Sequence, residues 1–395
     1  MRVVGVIAEL NPFHDGHAYL LRQAKEQCGA SYAVVVMSGD FVQRGEPAIL
    51  DKYTRTRQAL EGGADLVFEL PVRFCVSSAG DFAAGGVMAL NSLGFVTDLC
   101  FGSECDDLPL LDAVADLLWD EPEAFCTSLN RHLRSGLSFA GARALAITDC
   151  LYSDSRTPLA GRQVPDREEC QRILHQPNNI LGLEYCLALK KQRSPIVPHT
   201  IRRQGMDYHD TGSCVSNDFP SSSALRKQMI ENDVPHLCLD DFCAALGYAL
   251  LFSENLCEYK DFSKDLADRV HRLLPEYTTP SALVEACGTR AFTDSRIRRS
   301  LIQCLLGIRQ SGMTMPYLRL LGMKKEHSSK MPLSLVSHST CKILSRLAGD
   351  VSSLSEPARS LLLQDLSASD LYRQTWCRKY QCELPNEYQR PLIVR

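Results

Sequence analysis

Two histidines, His14 and His17, stand three residues apart in the run Ala8-Glu9-Leu10-Asn11-Pro12-Phe13-His14-Asp15-Gly16-His17. They follow an apolar, β-branched stretch and precede a helical one, in a chain that holds only ten histidines. A spacing of three places both imidazoles on one side of a first helical turn. Free backbone N–H groups and the positive end of the helix dipole point the same way. Gly16 has no Cβ and leaves the backbone open to close approach, while Pro12 ends the strand. The chemistry this suits is polyphosphate binding, with imidazoles donating to oxygens that gain charge when an α-phosphate is attacked. A metal pair is the rival, but no carboxylate or further histidine stands at ligand spacing.

A second candidate is Ser221-Ser222-Ser223-Ala224-Leu225-Arg226-Lys227. Serine hydroxyls at a helix start bind phosphate, and Arg226 or Lys227 would neutralise a departing pyrophosphate; a plain structural cap is the alternative. A third is SGDFVQRGEPAILDK, a loop after a buried strand that carries Asp40, Gln43, Arg44, Glu46 and Lys52. So many polar groups at that edge indicate a substrate loop, with Arg44 or Lys52 as the anion holder. Glu46 is equally suited to pairing one of those cations. Arg296, Arg298 and Arg299 cluster at the start of an apolar helix, and Lys324-Lys325 follow Leu321-Gly322-Met323. Clusters of this kind meet phosphate backbones, or are simply solvated.

The elements that would position these groups alternate. Strands are expected at Arg2–Glu9, Tyr32–Met37, Asp65–Leu70 and Asp98–Phe101, with a short one at Pro198–Arg203. Helices are expected at His17–Gln27, Asp51–Glu61, Ser78–Leu93, Arg172–Leu189 and Ser222–Asn232, with Leu108–Leu151 mostly helical. Continuous apolar strands, each followed by a helix, mean a parallel sheet covered on both faces, with ligands at the carboxyl ends of the strands. Gly102 falls at such an end, and Asn178-Asn179 precede an apolar helix that one of them would cap. From Asp240 to Leu366 no strand signal stands out. The expected organisation is therefore an α/β, Rossmann-like parallel-sheet domain over 1–235 and a helical domain over 236–395.

Composition sets outer bounds. The chain has 395 residues, 45% hydrophobic and 23% charged, with a net charge of -4. No global basic bias announces nucleic acid, so any RNA contact must be local. No run approaches the length of a transmembrane helix and the N-terminus carries no signal-peptide pattern, which points to the cytoplasm. The seventeen cysteines include no CxxC pair, and they read as mostly buried, reduced thiols and not as a metal site.

HDGH resembles the HxGH signature of the nucleotidyltransferase superfamily, whose second motif is a serine-rich helix start with a basic residue. Further stretches narrow the likeness. AELNPFHDGHAYLL, SGDFVQRGEPAILDK, GADLVFELP, FGSE, PNNILGLEY, TIRRQGMDYHD, SRIRRSLIQCLLGI and YLRLLGMKK together resemble the bacterial tRNA(Met) cytidine acetate ligase family. Leu10 stands where Tyr is more typical, and Asp15 where Asn is. The resemblance implies ATP with Mg2+ as its companion, acetate activated as acetyl-adenylate, and transfer to N4 of the wobble cytidine of elongator tRNA(Met). It implies nucleotide contacts from Ile7 through Ala8, Glu9, Leu10, Asn11, Pro12, Phe13, His14, Asp15, Gly16, His17, Ala18 and Tyr19 to Leu20. Gly102, Asn179, Arg202 and Arg203 would join them, with Ser222 and Arg226 from the second motif. It also favours tRNA contact for Arg296, Arg298, Arg299, Lys324 and Lys325. HDGH alone also fits an adenylyl- or cytidylyltransferase acting on a small phosphorylated metabolite. A tRNA binder that keeps the nucleotide fold without turnover is the third class.

Overall fold

The computed structural model describes residues 1–153, 165–203, 219–310, 312–327 and 338–395. Five strands form its parallel part: β1 (Val3–Ala8), β2 (Tyr32–Ser38), β3 (Leu66–Leu70), β4 (Asp98–Ser103) and β5 (Val197–Arg202). They lie side by side as β3-β2-β1-β4-β5. The order reverses between β1 and β4, and ligands of doubly wound sheets bind in the crevice at such a switch point. Both faces are buried. Val4, Val6, Ala33 and Val35 lie in one core under α1 (Asp15–Cys28) and α2 (Lys52–Glu61). Val3, Ile7, Val34 and Val36 lie in the other, under α3 (Ala79–Leu93) and α4 (Pro177–Lys191). Alternate residues of each strand thus serve opposite faces, as a twice-covered sheet requires.

Two expectations are corrected. The helix expected over Arg172–Leu189 is two, Arg167–His175 and α4, broken at Gln176. Pro177 has no N–H to donate and forces the residue before it to be extended, so Gln176 (ψ 130°) caps α4 and neither asparagine does. The absence of strands beyond Asp240 does not hold either. After α5 (Ser222–Glu231) and α6 (Asp294–Leu305), the segment Tyr317–Met323 enters the same sheet as β6, antiparallel to β3. β7 (Lys342–Leu344) and, beyond helix α7 (Glu356–Tyr380), β8 (Ile393–Val394) pair with β6. A short apolar run such as YLRLLGM does not distinguish strand from buried helix by periodicity. Packing decides it: a Cβ on Gly322 would stand 2.6 Å from Thr56 Cγ2, so only glycine lets α2 lie this close to the strand.

A buried ion network holds this late strand in place. Lys52 is fully buried, and its Nζ lies 2.7 Å from Glu69, 2.9 Å from Glu387 and 3.6 Å from Asp40. Arg319 of β6 pairs with the same Glu69 and Glu387 and donates to Tyr53 Oη at 2.7 Å. Burial alone would push the Lys52 ammonium down, but Glu387, Glu69 and Asp40 overrule it and hold it charged. Among the described residues no helix is long and apolar enough to cross a membrane. The sixteen described cysteines are free thiols, eight of them buried.

Removing one partner of a buried ionic network strands the others. Lys52→Met leaves Asp40, Glu69 and Glu387 around Arg319 alone, and is expected to lower the unfolding free energy by about 3–5 kcal/mol. Urea unfolding checks this; a loss below about 1 kcal/mol would show that the network is not holding the C-terminal strands.

Candidate active site

At the switch point β1 ends in a turn that the sequence builds tightly. Leu10 adopts the left-handed conformation (φ 50°) while staying buried. Asn11 Oδ1 accepts from Ile49 N at 2.8 Å, and Asn11 O accepts from Arg226 Nη1 at 2.6 Å. Helix α1 then opens with His14 as its N-cap. His14 Nδ1 accepts from Gly16 N at 3.0 Å, and His17 Nδ1 accepts from His14 N at 3.3 Å, a reciprocal capping box made of imidazoles. Gly16 is required for this: a Cβ there would stand 2.8 Å from His14 Cε1. The glycine therefore first admits the His14 ring, besides facing the cavity.

The caps fix the tautomers. A ring nitrogen that accepts an N–H carries no proton, so in each neutral imidazole Nε2 carries it. His14 Nε2 donates to Ser222 Oγ at 3.0 Å, and the two rings lie 4.0 Å apart. Burial pushes His14 down to about 4, helped by the Arg203 charge. Burial, then His14 and Arg203, hold His17 well below the ordinary imidazole range. Both are neutral donors at physiological pH.

Ser222 brings in the second motif. Ser221 caps α5 by accepting from Ala224 N at 3.1 Å, and Arg226 Nη2 reaches Ser223 Oγ at 3.0 Å. The N-termini of α1 and α5 therefore meet across one cavity of about 520 Å3. A volume of this order accommodates a nucleotide-sized ligand. Among the described residues, its walls carry five arginines, Arg44, Arg202, Arg203, Arg226 and Arg299, and one carboxylate, Glu9. Apolar and aromatic side chains share the lining with the histidines and serines, among them Ile7, Phe82, Phe101, Leu181 and Tyr185. Gly102 lies on the wall, where a Cβ would stand 3.3 Å from Arg203 Cγ.

The expected residues divide. From Ile7–Leu20, the cavity is lined by Ile7, Ala8, Glu9, Leu10, Asn11, His14, Gly16, His17, Tyr19 and Leu20; Pro12, Phe13, Asp15 and Ala18 are not on its wall. Phe13 packs instead over Gly62, where a Cβ would meet its Cζ at 2.1 Å. Asn179 is buried away from the wall. Its Oδ1 accepts from Glu104 N (2.9 Å) and Cys105 N (3.1 Å), and its Nδ2 donates to Ile173 O (3.1 Å) and Gln176 Oε1 (2.8 Å). Its amide is spent on the chain; Asn178, one residue earlier, is the one on the wall, held by Arg203 at 3.2 Å. The N-terminus of α4 is itself occupied by Glu104, which accepts from Asn179 N at 2.9 Å.

In the loop, Gln43 and Arg44 face the cavity, while Asp40 and Lys52 belong to the buried network. Glu46 pairs with Arg298 at 2.8 Å, rather than with Arg44 or Lys52. Gly45 (φ 75°) sits so close to α6 that a Cβ would stand 2.3 Å from Arg299 N, which places the loop against that helix. Of the basic candidates, Arg299 lines the cavity and pairs with Asp261 at 2.8 Å, and Arg296 lies over the Phe292 ring. Lys324 and Lys325 follow the end of an antiparallel strand and therefore lie at the amino ends of the parallel strands, away from the cavity, with Lys324 3.5 Å from Asp65. The stretch Gln204–Asp210 lies outside the described residues. Phe82, Phe101, Tyr185, Phe219, Pro220 and Ser295 also line the cavity and were not foreseen; their apolar or small character reads locally as core or cap.

A family model described as HIGH Nucleotidyl Transferase matches residues 1–386. Among curated relatives, the tRNA(Met) cytidine acetate ligase of Kosmotoga olearia is 34% identical, over 100% of this chain and 99% of that protein. A Thermoanaerobacter protein of the same description is 34% identical, over 94% and 95%. Among solved structures, apo Thermotoga maritima TmcAL aligns over 100% of this chain and 99% of its own, at a TM-score of 0.84 and 28% identity. The same protein bound with alpha-thio ATP aligns equally far at a TM-score of 0.82.

The neutral histidine pair has a thermodynamic signature. Unfolded histidines titrate near 6.5, above both folded values, so the unfolded chain takes up protons first as pH falls. The pair's contribution is complete above about pH 6.5 and is lost as pH drops toward about 4, where His14 itself protonates. The double variant His14→Asn, His17→Asn should therefore show a shallower fall of urea midpoint between about pH 6.5 and 4.5 than the unmodified chain. Equal slopes would remove the neutral assignment.

Proposed function

This chain belongs to the tRNA(Met) cytidine acetate ligase family of HIGH nucleotidyl transferases, and on that footing we propose that its cavity activates acetate with ATP and passes the acetyl group to a tRNA cytidine. In this reading a carboxylate oxygen of acetate attacks the α-phosphate, pyrophosphate leaves, and acetyl-adenylate remains. N4 of the wobble cytidine of elongator tRNA(Met) then takes the acetyl group and AMP departs. The observation that carries the reading is the meeting of two helix N-termini and two imidazole Nε2–H donors in one arginine-lined cavity.

The roles follow from charge. His14 and His17 donate to the α-phosphate oxygens as charge builds there, at little reorganisation cost because capping has already oriented both rings. Ser222, at the start of α5, and Arg226 hold the departing pyrophosphate. Ile7, Phe101 and Gly102 line a wall suited to the adenosine, with Arg202 and Arg203 at the rim. Gln43 and Arg44 are left as the loop's substrate-facing pair, and Arg44 suits a small carboxylate. Mg2+ would arrive with the triphosphate as part of the substrate. The described wall residues offer it no protein cage, since Glu9 is the one carboxylate among them and Gln43 N occupies one of its oxygens.

The tRNA side is the loop and helix beyond the arginines. Arg299 reaches the cavity, and Arg296 and Arg298 extend the same basic face, so residues 236–395 would contribute RNA contact beside the catalytic residues 1–235. Lys324 and Lys325, at the amino ends of the parallel strands, have no part in that face. An enzyme of this kind works in the cytoplasm, on a substrate found there.

Protein, ATP, acetate and tRNA(Met) are incubated and the tRNA nucleosides analysed by mass spectrometry; N4-acetylcytidine is expected, and its absence with folded protein sinks the reading. Pyrophosphate release that requires a phosphorylated metabolite and ignores acetate would favour a small-molecule nucleotidyltransferase instead. His14→Asn keeps an N-cap acceptor and loses the Nε2–H donor. It should fold, and lose about 10²–10³-fold in acetate-dependent pyrophosphate exchange.

A further inference from the structure

Among the described residues, the cavity that would hold a triphosphate keeps one acidic side chain, and the capping hydrogen bonds leave it a task that no other described side chain on the wall is placed to perform. Resting on the acetate-ligase reading above, we propose that Glu9 is the general base of the second half-reaction, taking the proton from the cytidine N4 as it attacks acetyl-adenylate.

Hydrogen-bond accounting leads there. Acyl transfer to an exocyclic amine must shed one N4 proton as the new C–N bond forms. The histidines cannot take it: both Nδ1 atoms accept backbone N–H groups, so both Nε2 atoms already carry protons. The lining arginines are permanently charged donors. Glu9 is left. Its Oε1 accepts from Gln43 N at 2.6 Å, while its Oε2 makes no hydrogen bond to a described residue. The carboxyl stands at the end of β1, five residues before His14, on the same cavity wall. Burial pushes it up from the usual carboxylate range, countered by Gln43 N–H and by Arg226, Arg44 and Arg55. A carboxyl on the cavity wall whose basicity burial raises suits proton abstraction.

The step balances as follows. The N4 lone pair attacks the acetyl carbonyl carbon, and the acyl C–O bond to the phosphate breaks. AMP leaves with that electron pair, the N4 proton passes to Glu9, and Glu9 returns it to solvent.

The test separates the two half-reactions. Glu9→Gln keeps an acceptor for Gln43 N and loses the base. Its loss in single-turnover acetyl transfer from preformed acetyl-adenylate to tRNA(Met) should exceed its loss in acetate-dependent pyrophosphate exchange by about 10²-fold or more. Unchanged transfer would overturn the proposal and send the proton elsewhere, such as to the departing phosphate. Loss of exchange and transfer together would overturn it too, by making Glu9 a support of the whole site. As a second measurement, unmodified enzyme should show a transfer rate that falls tenfold per pH unit on an acid limb absent from exchange. Glu9→Asp should keep a limb at a shifted midpoint; coincident profiles for the two half-reactions also overturn the proposal. If the unmodified protein shows no acetate-dependent exchange, the ligase reading itself has failed, and that outcome is distinct from either result with the variant.

Discussion

One guanidinium holds together the backbone turns that make the floor of the cavity. Arg55 is fully buried and donates to Leu50 O at 2.9 Å, Glu9 O at 2.7 Å, Ser38 O at 3.0 Å and Gly39 O. Those carbonyls belong to the end of β1, the end of β2 and the loop that carries Gln43 and Arg44. Left unpaired in the interior they would each cost of the order of a lost hydrogen bond. The fixed fork of an arginine can serve several at once; an ammonium could not span them. The wall residues Glu9, Gln43 and Arg44 are carried by these turns. Placing Glu9, His14 and Arg44 is thus one problem with one solution.

The histidine pair depends on that anchoring. Its two imidazoles satisfy N–H groups that the first turn of α1 would otherwise leave open. In doing so they surrender their basic nitrogens and present their acidic ones to the cavity. Structural and chemical roles are the same hydrogen bonds seen from opposite ends. Ser222 closes the arrangement from α5, so two helix dipoles and five arginines face a space whose one negative group among the described residues is Glu9. Such a field favours a polyanion before any specific contact is made.

The late strands belong to the same logic. β6 brings Arg319 against Glu69, at the carboxyl end of β3, and Glu387 reaches in from the C-terminal segment to Lys52. Asp40, at the start of the loop that carries Gln43 and Arg44, lies 3.6 Å from the same Lys52. The C-terminal region is therefore coupled to the loop at the cavity through a buried charge network rather than resting beside it. Tyr372 of α7 adds a bond to Ala48 O at 2.9 Å, on the same loop.

The sequence alone determined the parallel sheet and its switch point, and singled out His14, His17, Ser222 and Arg226, which the fold brings to one cavity. These are local matters: apolar runs of strand length, glycines and caps at their ends, and residue types whose spacing fixes one helical face. It also carried a family likeness that membership in the tRNA(Met) cytidine acetate ligase family bears out. What only the tertiary structure decided was the partner of each polar side chain. Asp40, Lys52 and Asn179 look like site residues because they are polar and near the motif, yet Asp40 pairs with Lys52, Lys52 with Glu69 and Glu387, and the Asn179 amide with Glu104 N and Ile173 O, most of them partners distant in sequence or unmarked by it. YLRLLGM is strand because β3 and α2 wait for it, and Lys324 is remote because that strand runs antiparallel. A side chain's type sets what it can bind; which groups lie within 3 Å of it is a property of the folded chain, because desolvation makes the buried ones take whatever partner the packing supplies.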